Sequence, residues 1–117
     1  MARVAKRRAK RRKPQPYARV ARQIAAIEAE MQRIGLWRNE PYPAEPRDAQ
    51  GALWDAMTFA RWLQFELVPH AQQIIAVRGE FPDRSALRTM AVRNFDGMHE
   101  ADDLITLLSE LDRLVQR

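Results

Sequence analysis

The chain has 117 residues, the length of one domain, and 46% of them are hydrophobic, a share that suits a packed core and argues against disorder throughout. It has no cysteine, which excludes disulfides, thiolate metal centres and cysteine nucleophiles. The net charge of +5 hides an asymmetry: Arg3, Lys6, Arg7, Arg8, Lys10, Arg11, Arg12 and Lys13 stand within the first thirteen residues without an acid among them, and the remainder, with 12 basic and 15 acidic residues, is mildly acidic.

Residues 1–16 read as a basic arm. Its charges repel one another and it cannot bury a core of its own, so it is expected to be disordered in isolation. All lysines of the chain lie in it. No apolar run reaches the roughly 18 residues of a membrane span. No apolar stretch follows the basic N-terminus as a secretory signal would require. With the missing cysteines this fits a reducing cytoplasm, and no membrane partner is expected.

Pro14 and Pro16 close the arm, and residues 17–117 read as one helical domain. Val20, Ile24, Ile27, Met31 and Ile34 recur at intervals of four, three, four and three, which predicts a first helix from Tyr17 to Ile34. Gly35 suits its stop. Leu36 and Trp37 are expected to fold back on the core. The following stretch carries Pro41, Pro43 and Pro46, which forbid a helix, and Tyr42 is placed to pin this long loop. A short helical turn is expected near Ala52 to Trp54.

Asp55 and Thr58 are alternative N-caps for a central helix over about 59–77. Pro69 lies inside that helix and predicts a kink or break. Gly79 and Pro82 end it. Asp83 or Ser85 caps a third helix with Leu87, Met90, Val92 and Phe95 inward, interrupted by Gly97. The last helix, about Ala101 to Val115, has Asp102 and Asp103 in its first turn and Arg113 near its end, as the helix dipole favours. The fold class is all-α: a compact four-helix bundle-like domain behind a basic arm.

The arm is the strongest functional signal. Eight cations in thirteen residues attract a polyphosphate through counterion release, but charge alone does not select bases. His70 has no second ligand at metal spacing, and the acids after His99 are explained by capping and the helix dipole, so no metal and no cofactor are expected. Asp55 and Glu66 are too far apart along a helix to share a proton transfer. Nucleotide and hydrolase motifs are absent. Trp62 and Phe59, at helical spacing, read as core. Trp37 and Trp54, on or beside the proline loop, are better placed for a partner.

The run Leu36-Trp37-Arg38, the proline-rich loop, Asp55-Ala56-Met57, Phe59, Trp62-Leu63-Gln64, Pro69 and the closing Leu111-Asp112-Arg113-Leu114 together resemble the YqcC-like family of small bacterial proteins, over about residues 20–117. There are departures. Asp55-Ala56-Met57 stands for the family's Asp-Thr-Met, Phe65 for a Trp, and His70 for an arginine after the proline. The resemblance implies an all-helical domain without an assigned activity. It also implies a link to tRNA modification, because genes of that family often neighbour the one for tRNA pseudouridine synthase C.

The expected function is a non-enzymatic accessory module. The arm holds nucleic acid, RNA in preference to DNA. The domain offers Trp37, Arg38, Trp54, Asp55, Trp62, Gln64 and His70 to a partner, such as a tRNA pseudouridine synthase. Two alternatives remain open from the residues: a small-ligand or enzymatic pocket framed by Trp37, Asp55, Trp62 and His70, and a non-specific DNA-binding protein.

Overall fold

The computed structural model describes residues 15–39, 55–82 and 86–116. The eight arm cations, the proline loop with Tyr42, the turn with Trp54, and the caps proposed at Asp83 and Ser85 lie outside the described residues. Within them the protein is all-α, with no strand and four helical rods, the second of which joins two α-helices through a π turn.

Helix α1 (Tyr17–Arg33) buries Val20, Ile24, Ile27 and Met31, the predicted stripe, and leaves Ile34 half-buried as its C-cap. Gly35 takes φ +81°, and the chain turns back through two bonds: the Gly35 N–H donates to the Gln32 carbonyl (3.2 Å) and the Leu36 N–H to the Met31 carbonyl (2.8 Å). This Schellman closure satisfies two of the carbonyls left open at the helix end and drives Leu36 into the core.

The central rod starts three residues earlier than predicted. Asp55, not Thr58, is the N-cap: its Oδ1 accepts from the Thr58 N–H at 2.8 Å, and Thr58 lies inside the helix. That N–H, followed by the Thr58 hydroxyl, holds the Asp55 carboxyl below its ordinary value. A folded-state pKa below the unfolded one means that the cap stabilises above the unfolded value and its contribution is lost as pH falls through the folded one.

Helix α2 (Ala56–Trp62) runs through a π-helical turn (Leu63–Leu67) into α3 (Val68–Val77) without leaving right-handed helical backbone. Pro69 therefore does not break the rod. A proline ring clashes with the carbonyl four residues back and cannot donate to it. Here the turn preceding it is widened, with the Val68 N–H donating five residues back to Leu63, so the helix absorbs the proline. At its far end the left-handed residue is Arg78 (φ 55°), one before the predicted stop at Gly79.

Helix α4 (Leu87–Asn94) buries Leu87 and Ala91, with Phe95 buried just beyond it. Val92 is a correction: it is half exposed, because the inward positions 87, 91 and 95 leave residue 92 one step off the face. The N-terminus of α4 is capped from another helix. Asp112 accepts from the Leu87 N–H (3.1 Å) and from the Arg88 N–H (2.9 Å). Asp112→Ala is expected to destabilise the protein by about 2 kcal/mol, the upper range for a lost cap, because two helix donors lose one carboxylate. Urea unfolding measures it; a loss below a few tenths would mean that water replaces the cap without cost.

A single 3-10 turn (His99–Ala101) leads into α5 (Asp102–Val115), which buries Leu104, Leu108, Leu111 and Val115. Helices α1 and α5 pack antiparallel. The Gln23 side-chain amide sets their register by donating to the Leu107 carbonyl (2.8 Å) and the Glu110 carboxylate (3.1 Å). The Tyr17 hydroxyl donates to the Gly79 carbonyl and its ring meets Phe81 at 5.7 Å, so the start of α1 also lies against the end of α3.

Candidate functional site

The two most distinctive short motifs of the sequence meet in space. Gln64, in the π turn and 8% exposed, extends its amide to the backbone of Arg38. The Arg38 N–H donates to Gln64 Oε1 at 2.8 Å, and Gln64 Nε2 donates to the Arg38 carbonyl at 2.6 Å. Only a carboxamide can donate and accept in this way at neutral pH. The side chain thus pairs with the Leu36-Trp37-Arg38 segment as a neighbouring strand would, and fixes the first residues of the proline loop against the central rod.

The aromatic groups are held by the same rod. Trp62 stacks on Phe59 (centroids 6.0 Å apart, 15° between planes), and Phe59 meets Phe95 edge-on at 5.3 Å. Phe59 is fully buried, whereas Trp62 and Trp37 are half-buried and pack against the core with part of each ring toward solvent. Gly35, Trp37, Arg38 and Asn39 border an open depression of ≈ 510 Å³. A rigid backbone with partly exposed tryptophan beside it is the arrangement that a protein partner uses as an anchor.

The sequence-derived candidates divide into three places. Trp37, Arg38 and Gln64 come together at the clamp, with Trp62 two residues from Gln64 on the rod. Asp55 is exposed and serves as the cap of α2. His70 is exposed on α3 and borders a separate, mostly apolar cleft of ≈ 90 Å³ with Leu67, Ala71, Ile74 and Phe81. Trp37 and His70 therefore border different depressions. His99 lies 3.9 Å from Asp102, with both side chains mostly exposed. No group of three potential metal-ligating side chains occurs among the described residues. No described helix is long and apolar enough to cross a membrane.

Two functional contributions escaped the sequence. Asp112 stands in the sequence only as part of a closing pattern, and Gln64 as a candidate for the partner surface rather than as a clamp on Arg38. Each acts on backbone about 25 residues away, and periodicity carries no trace of such a bond. A polar residue at a buried helical position is the one signal that singles out Gln64.

The family model DUF446, described as "tRNA pseudouridine synthase C", matches residues 19–114. No curated protein and no solved structure matches the chain.

Proposed function

The chain belongs to the DUF446 family, and from that premise we propose that it is a non-enzymatic accessory module of tRNA modification. In this reading the basic arm holds tRNA, and the Trp37–Arg38 segment docks on a protein partner of the tRNA pseudouridine synthase class. The observation that carries it is the family description, covering nearly the whole helical domain, joined to an arm of eight cations and no acid. The resemblance to the YqcC-like family points the same way. Several described carboxylates are committed to the fold: Asp55 and Asp112 hold helix N-termini, Glu30 pairs with Arg33, and Glu110 accepts from Gln23. We favour this reading over a small-ligand pocket because Trp37 and His70 border different depressions.

Deletion of residues 1–13 tests the RNA half. Binding of a mixed tRNA preparation, followed across salt concentrations, is expected to lose about six units of slope in log K against log salt, at roughly 0.7–0.9 per neutralised phosphate. Identical slopes for the two proteins would end the RNA reading. Competition with duplex DNA at matched salt decides between RNA and DNA. The partner half is read by capture of a purified tRNA pseudouridine synthase in the presence of nuclease, and capture that nuclease abolishes would refute direct docking.

A further inference from the structure

We propose that the folded domain itself carries the second half of the polyanion site: a cluster of arginines at the end of the bundle from which the arm emerges. This rests on the reading of the arm given above and extends it to residues of the helical domain.

The geometry gathers these arginines from four helices. Arg19 and Arg22 lie in the first two turns of α1, exposed. The Gln23 bonds to Leu107 and Glu110 place those turns beside the last turns of α5, where Arg113 is exposed. The Asp112 cap draws in the start of α4, with exposed Arg88. Arg78, at the end of α3, sets its guanidinium 5.2 Å from the centroid of the Tyr17 ring, one residue after the arm ends at Pro16.

The acids at this end are largely committed to the fold. Asp112 holds two helix N–H groups and Glu110 accepts from Gln23, while Glu80 is exposed. The opposite end has the reverse balance. Asp96, Glu100, Asp102 and Asp103 are exposed there, and Arg33 is drawn to Glu30 and to Asp103 at 3.9 Å. The domain is mildly acidic as a whole, yet its charge is segregated, and its basic pole coincides with the root of the arm. A polyphosphate held by the arm is thereby led onto a surface of like sign to the arm rather than repelled by the domain. Arginine suits this role, since its planar fork binds phosphate oxygens in pairs.

The test uses the full chain and two variants, one with three replacements and one with two. Arg19→Ala, Arg22→Ala and Arg113→Ala are combined in one protein. Arg33→Ala and Arg93→Ala, at the acidic end, form the control. The probes are a mixed tRNA preparation and a short random-sequence DNA duplex, with folding checked by circular dichroism. The first variant is expected to lose about two to three units of salt slope, about one per phosphate contact, and the control none. A loss on tRNA alone assigns the phosphates to RNA, a loss on the duplex alone to DNA, and either supports the site. An unchanged slope, with binding that still depends on the arm, overturns the arginine site and leaves the arm reading intact. Equal losses in both variants also overturn it, because charge position would then be irrelevant. If the unmodified chain binds neither probe, both readings fall.

Discussion

Gln64→Ala is expected to lower the unfolding free energy by about 3 kcal/mol. The replacement removes two hydrogen bonds and leaves both the N–H and the carbonyl of Arg38 without their side-chain partner. A backbone group deprived of its partner away from water costs about 1–3 kcal/mol, and these two are part-buried, which argues for the lower half of that range for each. Urea unfolding gives the magnitude. Hydrogen exchange at the Arg38 amide locates it, because that proton is held by the Gln64 oxygen. If the amide stayed protected in the variant, the clamp would not be what fixes the loop.

Gln64→Glu sharpens the point. An ionised carboxylate accepts from the Arg38 N–H but has nothing to donate to the Arg38 carbonyl, and burial further disfavours its charge. The introduced carboxyl is therefore expected to have a raised folded-state pKa. A raised value means that stability is fully present below the unfolded pKa and is lost as pH rises through the folded one. The variant should recover stability relative to the parent on acidification, and a flat difference across pH would contradict the geometry.

Phe59→Ala is expected to cost about 4 kcal/mol, since truncating a fully buried aromatic leaves a cavity that its neighbours fill only in part. The neighbours are specific: Trp62 loses its stacking partner and Phe95 its edge contact. The check is a lower unfolding midpoint together with loss of near-ultraviolet ellipticity from the aromatic cluster. A domain of this size is stable by only about 5–15 kcal/mol, so the change removes a large part of the whole. The effects of Gln64 and Phe59 replacements are not expected to add, because both loosen the same turns of the rod. A loss under 1 kcal/mol at Phe59 would mean that the cluster repacks freely.

What could be read from the sequence was local. The α1 stripe, Gly35 as its stop and the inward turn of Leu36 follow from spacing and from one residue's freedom at positive φ. The leucines of α5 follow in the same way. What could not be read lies in bonds between distant segments. Asp112 caps a helix that begins 25 residues earlier, and Gln64 holds Arg38 across 26. Arg78 takes the left-handed position at the end of α3, one residue before the Gly79 expected to end the helix, with its guanidinium over Tyr17. Of the candidate site, Arg38 and Gln64 are both legible as candidates, but the pair of bonds that joins them is not.

The π turn also decides which side chains meet water. Continuing ordinary α-helical spacing from Phe59 and Leu63 would carry Leu67, His70 and Ile74 inward. Instead Val68 and Ala71 are buried, Leu67 and Ile74 are half-buried, and His70 is exposed. The extra residue acts as a phase slip of roughly 100° between the two halves of one rod. The length of the segment 63–67 is thus as informative as its composition. Regular α-helical winding of the same letters would turn the imidazole toward the interior, whereas a chain one residue shorter there would keep Val68 and Ala71 on the core face without any π turn.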